Sequence, residues 1–221
     1  MGIVVAIGGI NKEINDVKII CKKILELSNK EKPNVLYIPT ANNDHEKYSK
    51  FMANFFKSNY YCNVDILWLI NNLISKEEID KKIKNADVIF VEGGNLLTLL
   101  EIWKKYKLED KLRNAYENGV IMSGISAGAN CWFEYSYSDS VKDKEFDFVK
   151  GLGFIKGCIC PHYDDKNRRK KFENDINKLK HHVDIIYGIE NNSAVIVNGK
   201  NITILSDKLN KCGTCLIKIN K

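Results

Sequence analysis

The 221-residue sequence predicts a doubly wound α/β fold, a mostly parallel sheet with helices on both faces. Two observations carry that prediction. Short apolar runs of strand length alternate with amphipathic segments over the first half of the chain, and parallel strands need such crossover segments to connect them. Glycine-rich turns follow several of the runs, at the carboxyl edge where open parallel sheets bind ligands.

In chain order, the apolar run Ile3–Ile7 ends in Gly8-Gly9, and residues 11–29 place Ile14, Val17, Ile20, Cys21, Ile24 and Leu27 at helical spacing. Residues 35–38 form a second strand closed by Pro39-Thr40. A helix with Phe51, Phe55 and Phe56, read as a core stripe, leads to a third strand over 64–69. Ser75 has the character of an N-cap, with Glu78 at the capping-box position, and opens a helix that ends before the fourth strand, Val88–Val91. A fifth apolar run begins at Val120 and ends in Gly124-Ile125-Ser126-Ala127-Gly128. Residues 132–150 lose periodicity and read as a loop or hairpin region beside the site. Residues 157–160 read as a strand, followed by a helix carrying Arg168, Phe172 and Ile176. Ile185–Ile189 and two short runs over 194–197 and 202–205 close the sheet, with Asn198-Gly199 as a hairpin turn. No repeat or linker marks a second domain, so residues 1–221 are read as one.

Composition narrows the function. With 44% hydrophobic and 28% charged residues the chain has the balance of a soluble globular protein, and the absence of a ~20-residue apolar stretch or a signal-like start points to a cytoplasmic protein without a membrane partner. The net charge of +6 is spread among acidic residues, with Arg168-Arg169-Lys170-Lys171 as its densest run, and no nucleic-acid-binding signature accompanies it. Seven cysteines in a chain of this size are read as reduced thiols. Cys212-x-x-Cys215 lies too late in the chain for a redox helix start. Cys158 and Cys160 are read as pointing to opposite faces of a strand, so no metal site or other cofactor is expected.

The chemistry gathers at strand ends. Gly124-x-Ser126-x-Gly128 fits a sharp strand-to-helix turn that lifts the Ser126 hydroxyl out of the sheet, while Ala127 places an amide at a helix start where an oxyanion is favoured. Gly93-Gly94 follows the preceding strand and offers a second amide, with Asn95 as a helix N-cap. His162 falls at the end of a later strand, where it suits a general base for the serine. Asp139 and Glu190 are both candidates for the carboxylate that orients it. Arg168 and Arg169 follow His162 by six and seven positions and could grip an acidic substrate group, or simply solvate a helix face.

The blocks Gly93-Gly94-Asn95, Gly124-Ile125-Ser126-Ala127-Gly128-Ala129-Asn130 and Pro161-His162-Tyr163, in that order, resemble the peptidase E (aspartyl dipeptidase) and cyanophycinase family of serine peptidases over nearly the whole chain. The resemblance implies a class I glutamine amidotransferase-like, flavodoxin-like fold with a serine in place of that superfamily's cysteine nucleophile. It also implies Ser126 as nucleophile, His162 as base, Gly94 and Ala127 as oxyanion donors, and Glu190, with Asp139 as its rival, as third member. A hydrolase of small, Asp-containing peptides and a homodimer are the further implications. A catalytically silent binding domain and an esterase are the competing functions.

Overall fold

A computed structural model of the protein describes residues 2–70, 73–142, 145–179 and 181–206, together with the backbone of 214–218. The first half builds the alternation that the sequence predicts: β1 (Ile3–Ile7), α1 (Lys18–Glu26), β2 (Asn34–Ile38), α2 (Glu46–Asn59), β3 (Asn63–Ile66), α3 (Lys76–Lys84), β4 (Val88–Val91), α4 (Leu96–Lys105), α5 (Leu108–Glu117) and β5 (Ile121–Ile125). A short helix, α6 (Ala127–Asn130), follows the elbow. The rest comprises β6 (Phe133–Ser138), β7 (Asp147–Lys150), β8 (Ile155–Pro161), α7 (Lys166–Asp175), β9 (Ile185–Ile189), β10 (Ser193–Asn198), β11 (Asn201–Ser206) and β12 (Thr214–Lys218).

These strands form two sheets rather than one. The first has the order β11-β10-β1-β5-β4-β2-β3, with β1 to β5 parallel and the β10–β11 hairpin antiparallel on β1. The second has the order β12-β9-β8-β6-β7, parallel at its centre and antiparallel at both edges. The region expected as loop or hairpin thus supplies two paired strands, β6 and β7. Phe133, Tyr135 and Tyr137 alternate with Glu134, Ser136 and Ser138 along β6, so the two-residue period of a strand is present in the sequence, while β7 is a short, partly exposed edge strand with no such pattern.

Strand alternation explains the layers. Val5, Ile7, Tyr37 and Phe90 face one way and bury against Ile20 and Ile24 of α1 and Met52 and Phe56 of α2. Val4, Ala6, Ile38 and Val91 face the other way, onto Ile79 of α3, Leu99 and Trp103 of α4 and Leu112 of α5. That second core continues through Trp132 and Phe133 to Ile159 and Tyr187 of the other sheet, so one apolar cluster joins the two. Phe51, expected in the core stripe, is 53% exposed, while Phe55 and Phe56 are buried. Ser75 does cap α3, accepting from the Glu78 amide at 3.1 Å. Cys158 and Cys160, two residues apart on β8, share one face in the small cluster under α7, because side chains repeat every second residue along a strand. The expectation of opposite faces is thus reversed, and both thiols are buried, with burial pushing both up from the usual range. Cys212 lies outside the described residues, and for Cys215 only the backbone is described.

Candidate active site

The elbow follows β5. Ser126 is held at φ 52° and ψ −115°, a region that costs a non-glycine residue about 1–3 kcal/mol. Backbone bonds fix it there: the Ser126 amide donates to the Ile7 carbonyl at 3.0 Å, and the Ser126 carbonyl accepts from the Ala129 and Asn130 amides, both at 2.9 Å. The turn closes so tightly that a Cβ on Gly124 would lie 2.2 Å from the Gly128 carbonyl oxygen, which explains the glycine. The serine hydroxyl is therefore aimed outward at the carboxyl edge of the sheet.

His162 reaches the same edge from the second sheet. It follows β8 at φ 53°, its amide donating to the Gly8 carbonyl at 3.1 Å. Its Nε2 stands 2.8 Å from Ser126 Oγ, and its Nδ1 stands 2.7 Å from Oδ1 of Asn191, just past β9. An amide oxygen only accepts, so Nδ1 carries the proton and the Nε2 lone pair faces the hydroxyl. Asn191 is positioned in turn by its backbone N–H, which donates to Asp164 Oδ1 at 2.8 Å. Gly9 seats the pair, since a Cβ there would lie 2.0 Å from Asn191 Oδ1 and 2.3 Å from His162 Cε1. Burial pulls the His162 pKa below its usual value and the Arg168 guanidinium acts in the same direction, against the Asn191 hydrogen bond and the Asp139 and Asp164 carboxylates. The imidazole is thus neutral at neutral pH, the form that can take a proton.

The structure sorts the residues singled out from the sequence. Ser126 and His162 are brought into contact, and Ala127, as the first residue of α6, has an amide without an intrahelical partner. The partner at His162 Nδ1 is Asn191 and not Glu190. Glu190 occupies the position before Asn191, and adjacent residues at a strand end leave the backbone on different sides, which gives the place on Nδ1 to Asn191. Asp139 accepts instead from Arg168 Nη2 at 2.7 Å. Arg168 is buried, with a further bond to the Tyr137 carbonyl and its guanidinium over the Phe146 ring. Arg169 pairs with Glu173 and lies over Tyr163. Asn95 caps α4, its Oδ1 accepting from the Thr98 amide at 2.9 Å. Gly94 packs behind the site against the Ala41 carbonyl, and Gly93 is the glycine that meets the cleft.

The cleft over the nucleophile has a volume of about 290 Å³ and is walled by Gly9, Asn42, Tyr48, Glu92, Gly93, Ser126 and His162, among others. Larger surface hollows of about 410 and 460 Å³ lie over Tyr60 and over Asn114, away from the serine. Glu92 is only 5% exposed and holds two donors, the Tyr37 hydroxyl and the Asn42 amide, each at 2.6 Å. Burial raises its pKa, with those two hydrogen bonds opposing the rise. Asn191, Gly9 and Glu92 are what sequence reasoning missed. Asn191 and Glu92 each sit one residue from a feature it did find, Glu190 and Gly93, and Gly9 closes the Gly8-Gly9 turn two residues past the first strand.

Comparison with known proteins matches residues 3–205 to the model of peptidase family S51. The chain is 37% identical over 166 residues to the "Uncharacterized peptidase YgaJ" of Bacillus subtilis (strain 168), covering 75% of this chain and 70% of that one. It is 26% identical over 182 residues to a "Probable alpha-aspartyl dipeptidase" of Drosophila melanogaster, covering 79% and 73%. A crystal structure of a Listeria monocytogenes EGD-e protein assigned to peptidase E superposes with a TM-score of 0.70 at 20% identity, over 93% of this chain and 98% of that one, a likeness of fold.

Proposed function

Because the chain belongs to peptidase family S51 and is a serine-type peptidase, we propose that it hydrolyses small peptides through an acyl-enzyme on Ser126, with His162 as base and Asn191 as the residue that orients it. The observation that carries the reading is the 2.8 Å contact between Ser126 Oγ and Nε2 of the half-buried His162 imidazole, whose pKa burial lowers. As Ser126 Oγ attacks the peptide carbonyl, its proton passes to Nε2. Asn191 Oδ1 continues to accept from Nδ1 and keeps the ring aligned, as an amide does in Cys-His-Asn enzymes. The oxyanion turns toward the Ala127 amide and the Gly93–Gly94 backbone. The Nε2 proton then goes to the leaving amine, and water repeats the sequence in reverse.

An acidic preference is the name of the fly relative, and its expected readers here were Arg168 and Arg169. Among the described residues both guanidiniums are engaged elsewhere, and no lysine or arginine walls the cleft. The reading therefore extends to small peptides without assigning an acid-binding residue. A panel of unblocked dipeptides assayed for amino-acid release tests it: the wild type should turn over members of the panel and Ser126→Ala should not. A wild type inert toward all of them would return the chain to the silent binding-domain alternative.

A further inference from the structure

The cleft contains a carboxyl group that the reaction above does not use. Glu92 follows β4 and is buried beside Gly93, yet it walls the same cleft as Ser126 and His162. Its carboxylate is held from behind by the Tyr37 hydroxyl at Oε2 and the Asn42 amide at Oε1, and Tyr37 is itself fixed by stacking on Phe90. Each carboxylate oxygen can accept two hydrogen bonds, so each keeps capacity for one more. Among the described residues no lysine or arginine pairs with it. A carboxylate this far from water is costly unless paired, and the two neutral donors offset only part of that cost. His45 acts on Glu92 from the same side of the fold, and burial still raises the Glu92 pKa, so a cation brought by whatever fills the cleft would favour the ionised form.

We propose that Glu92 binds the α-ammonium of the substrate's N-terminal residue, making the site selective for unblocked peptides cleaved after their first residue. The inference rests on the peptidase reading. The α-ammonium is the one cation that every unblocked dipeptide carries on the acyl side, and it is one bond from the carbon next to the scissile carbonyl. Glu92 is correspondingly one residue from Gly93, whose Cβ position would lie 3.4 Å from Ser126 Cβ. A charge-assisted N–H···O contact there would hold the carbonyl against the serine, while an N-acylated substrate would bring a neutral, bulkier group to a buried anion.

The test measures kcat/KM for leucine release from Ala-Leu, N-acetyl-Ala-Leu and lactoyl-leucine, in which a hydroxyl replaces the ammonium, alongside fluorophosphonate labelling of Ser126. The wild type should favour Ala-Leu over lactoyl-leucine by about 10²-fold, and Glu92→Gln should reduce that ratio to about threefold or less while Glu92→Asp keeps at least about tenfold. A wild-type ratio near one, or a Glu92→Gln ratio equal to the wild type's, overturns the proposal. Should Glu92→Gln fail to fold, wild-type inhibition decides: alaninamide should bind at least about tenfold tighter than lactamide, and equal binding overturns the proposal. Labelling and turnover with an unchanged ratio reject this role for Glu92 alone, whereas a protein with neither labelling nor turnover loses the peptidase reading and this inference with it.

Discussion

Ser126 is a nucleophile only if its proton has somewhere to go, and His162 Nε2 is the acceptor in reach. Replacing either residue by alanine should therefore remove dipeptide turnover to background with the fold intact, as circular dichroism would report. The same logic ranks the residues around the imidazole. Asn191→Ala should lower kcat by about 10² or more by freeing the ring to turn, whereas Glu190→Gln and Asp139→Asn, which leave the partner at Nδ1 in place, should stay within about fivefold. A large loss in Glu190→Gln with little in Asn191→Ala would restore the carboxylate triad that the sequence resemblance implies. Acidity gives a second readout. Because burial and Arg168 depress the His162 pKa, the acid limb of kcat/KM should lie below the ordinary histidine value of about 6.5. Asn191→Asp should move it upward by about one unit, since a carboxylate favours the imidazolium. The sign for stability follows from the same depression. Between the native and unfolded pKa values the unfolded chain holds the extra proton, so this contribution is present above about pH 6.5 and is lost as pH falls through that window. His162→Gln should accordingly flatten the fall of Tm on the acid side, and an unchanged slope would remove that assignment.

At the level of single elements, the elbow stores strain to expose a hydroxyl. Ser126→Gly and Ser126→Ala both remove the nucleophile, but only glycine tolerates φ 52° with ψ −115°. Glycine should therefore be the more stable of the two by about 1 kcal/mol in denaturant unfolding, despite its freer unfolded chain. Equal stability would mean that the backbone there is relaxed. This element was legible in advance because its signal is local: glycines two residues either side of a serine, after an apolar run. The parallel strands β1, β2, β4 and β5 were legible for the same reason, each being a largely buried apolar run, whereas the edge strand β3 is half exposed. The third member of the site was not. Glu190 and Asn191 are both polar residues past β9, and which of them faces His162 depends on where that strand ends against Gly9, a contact between residues 9 and 191 at opposite ends of the sequence. Glu92 was hidden similarly, since its burial depends on Tyr37 and Asn42 of another strand and loop.

Across the whole molecule, the site is a seam. Ser126 and Gly9 belong to the first sheet, His162 and Asn191 leave the second, and the Ser126–His162 contact spans the two. The alternation of strands and helices revealed the first sheet, but β6 and β7 of the second pair directly without a helix between them and so fall outside that alternation. Arg168 ties α7 to that ribbon through Tyr137, Asp139 and Phe146, and this is the role the structure gives the arginine instead of substrate contact. Arg168→Met should cost about 2 kcal/mol of stability, chiefly from the lost ring contact and the lost bond to the Tyr137 carbonyl, because exposed Asp139 returns to water. It should leave KM for dipeptides nearly unchanged, and a large rise in KM would return Arg168 to the substrate. The central claim is that the two sheets meet to make one activated serine. It is tested most directly by intact-mass and peptide analysis after treatment with a fluorophosphonate. A single adduct is expected, on Ser126, that forms in the wild type and is lost in His162→Ala; a wild type that stays unlabelled, or an adduct that forms equally fast without His162, would contradict an activated serine at the seam.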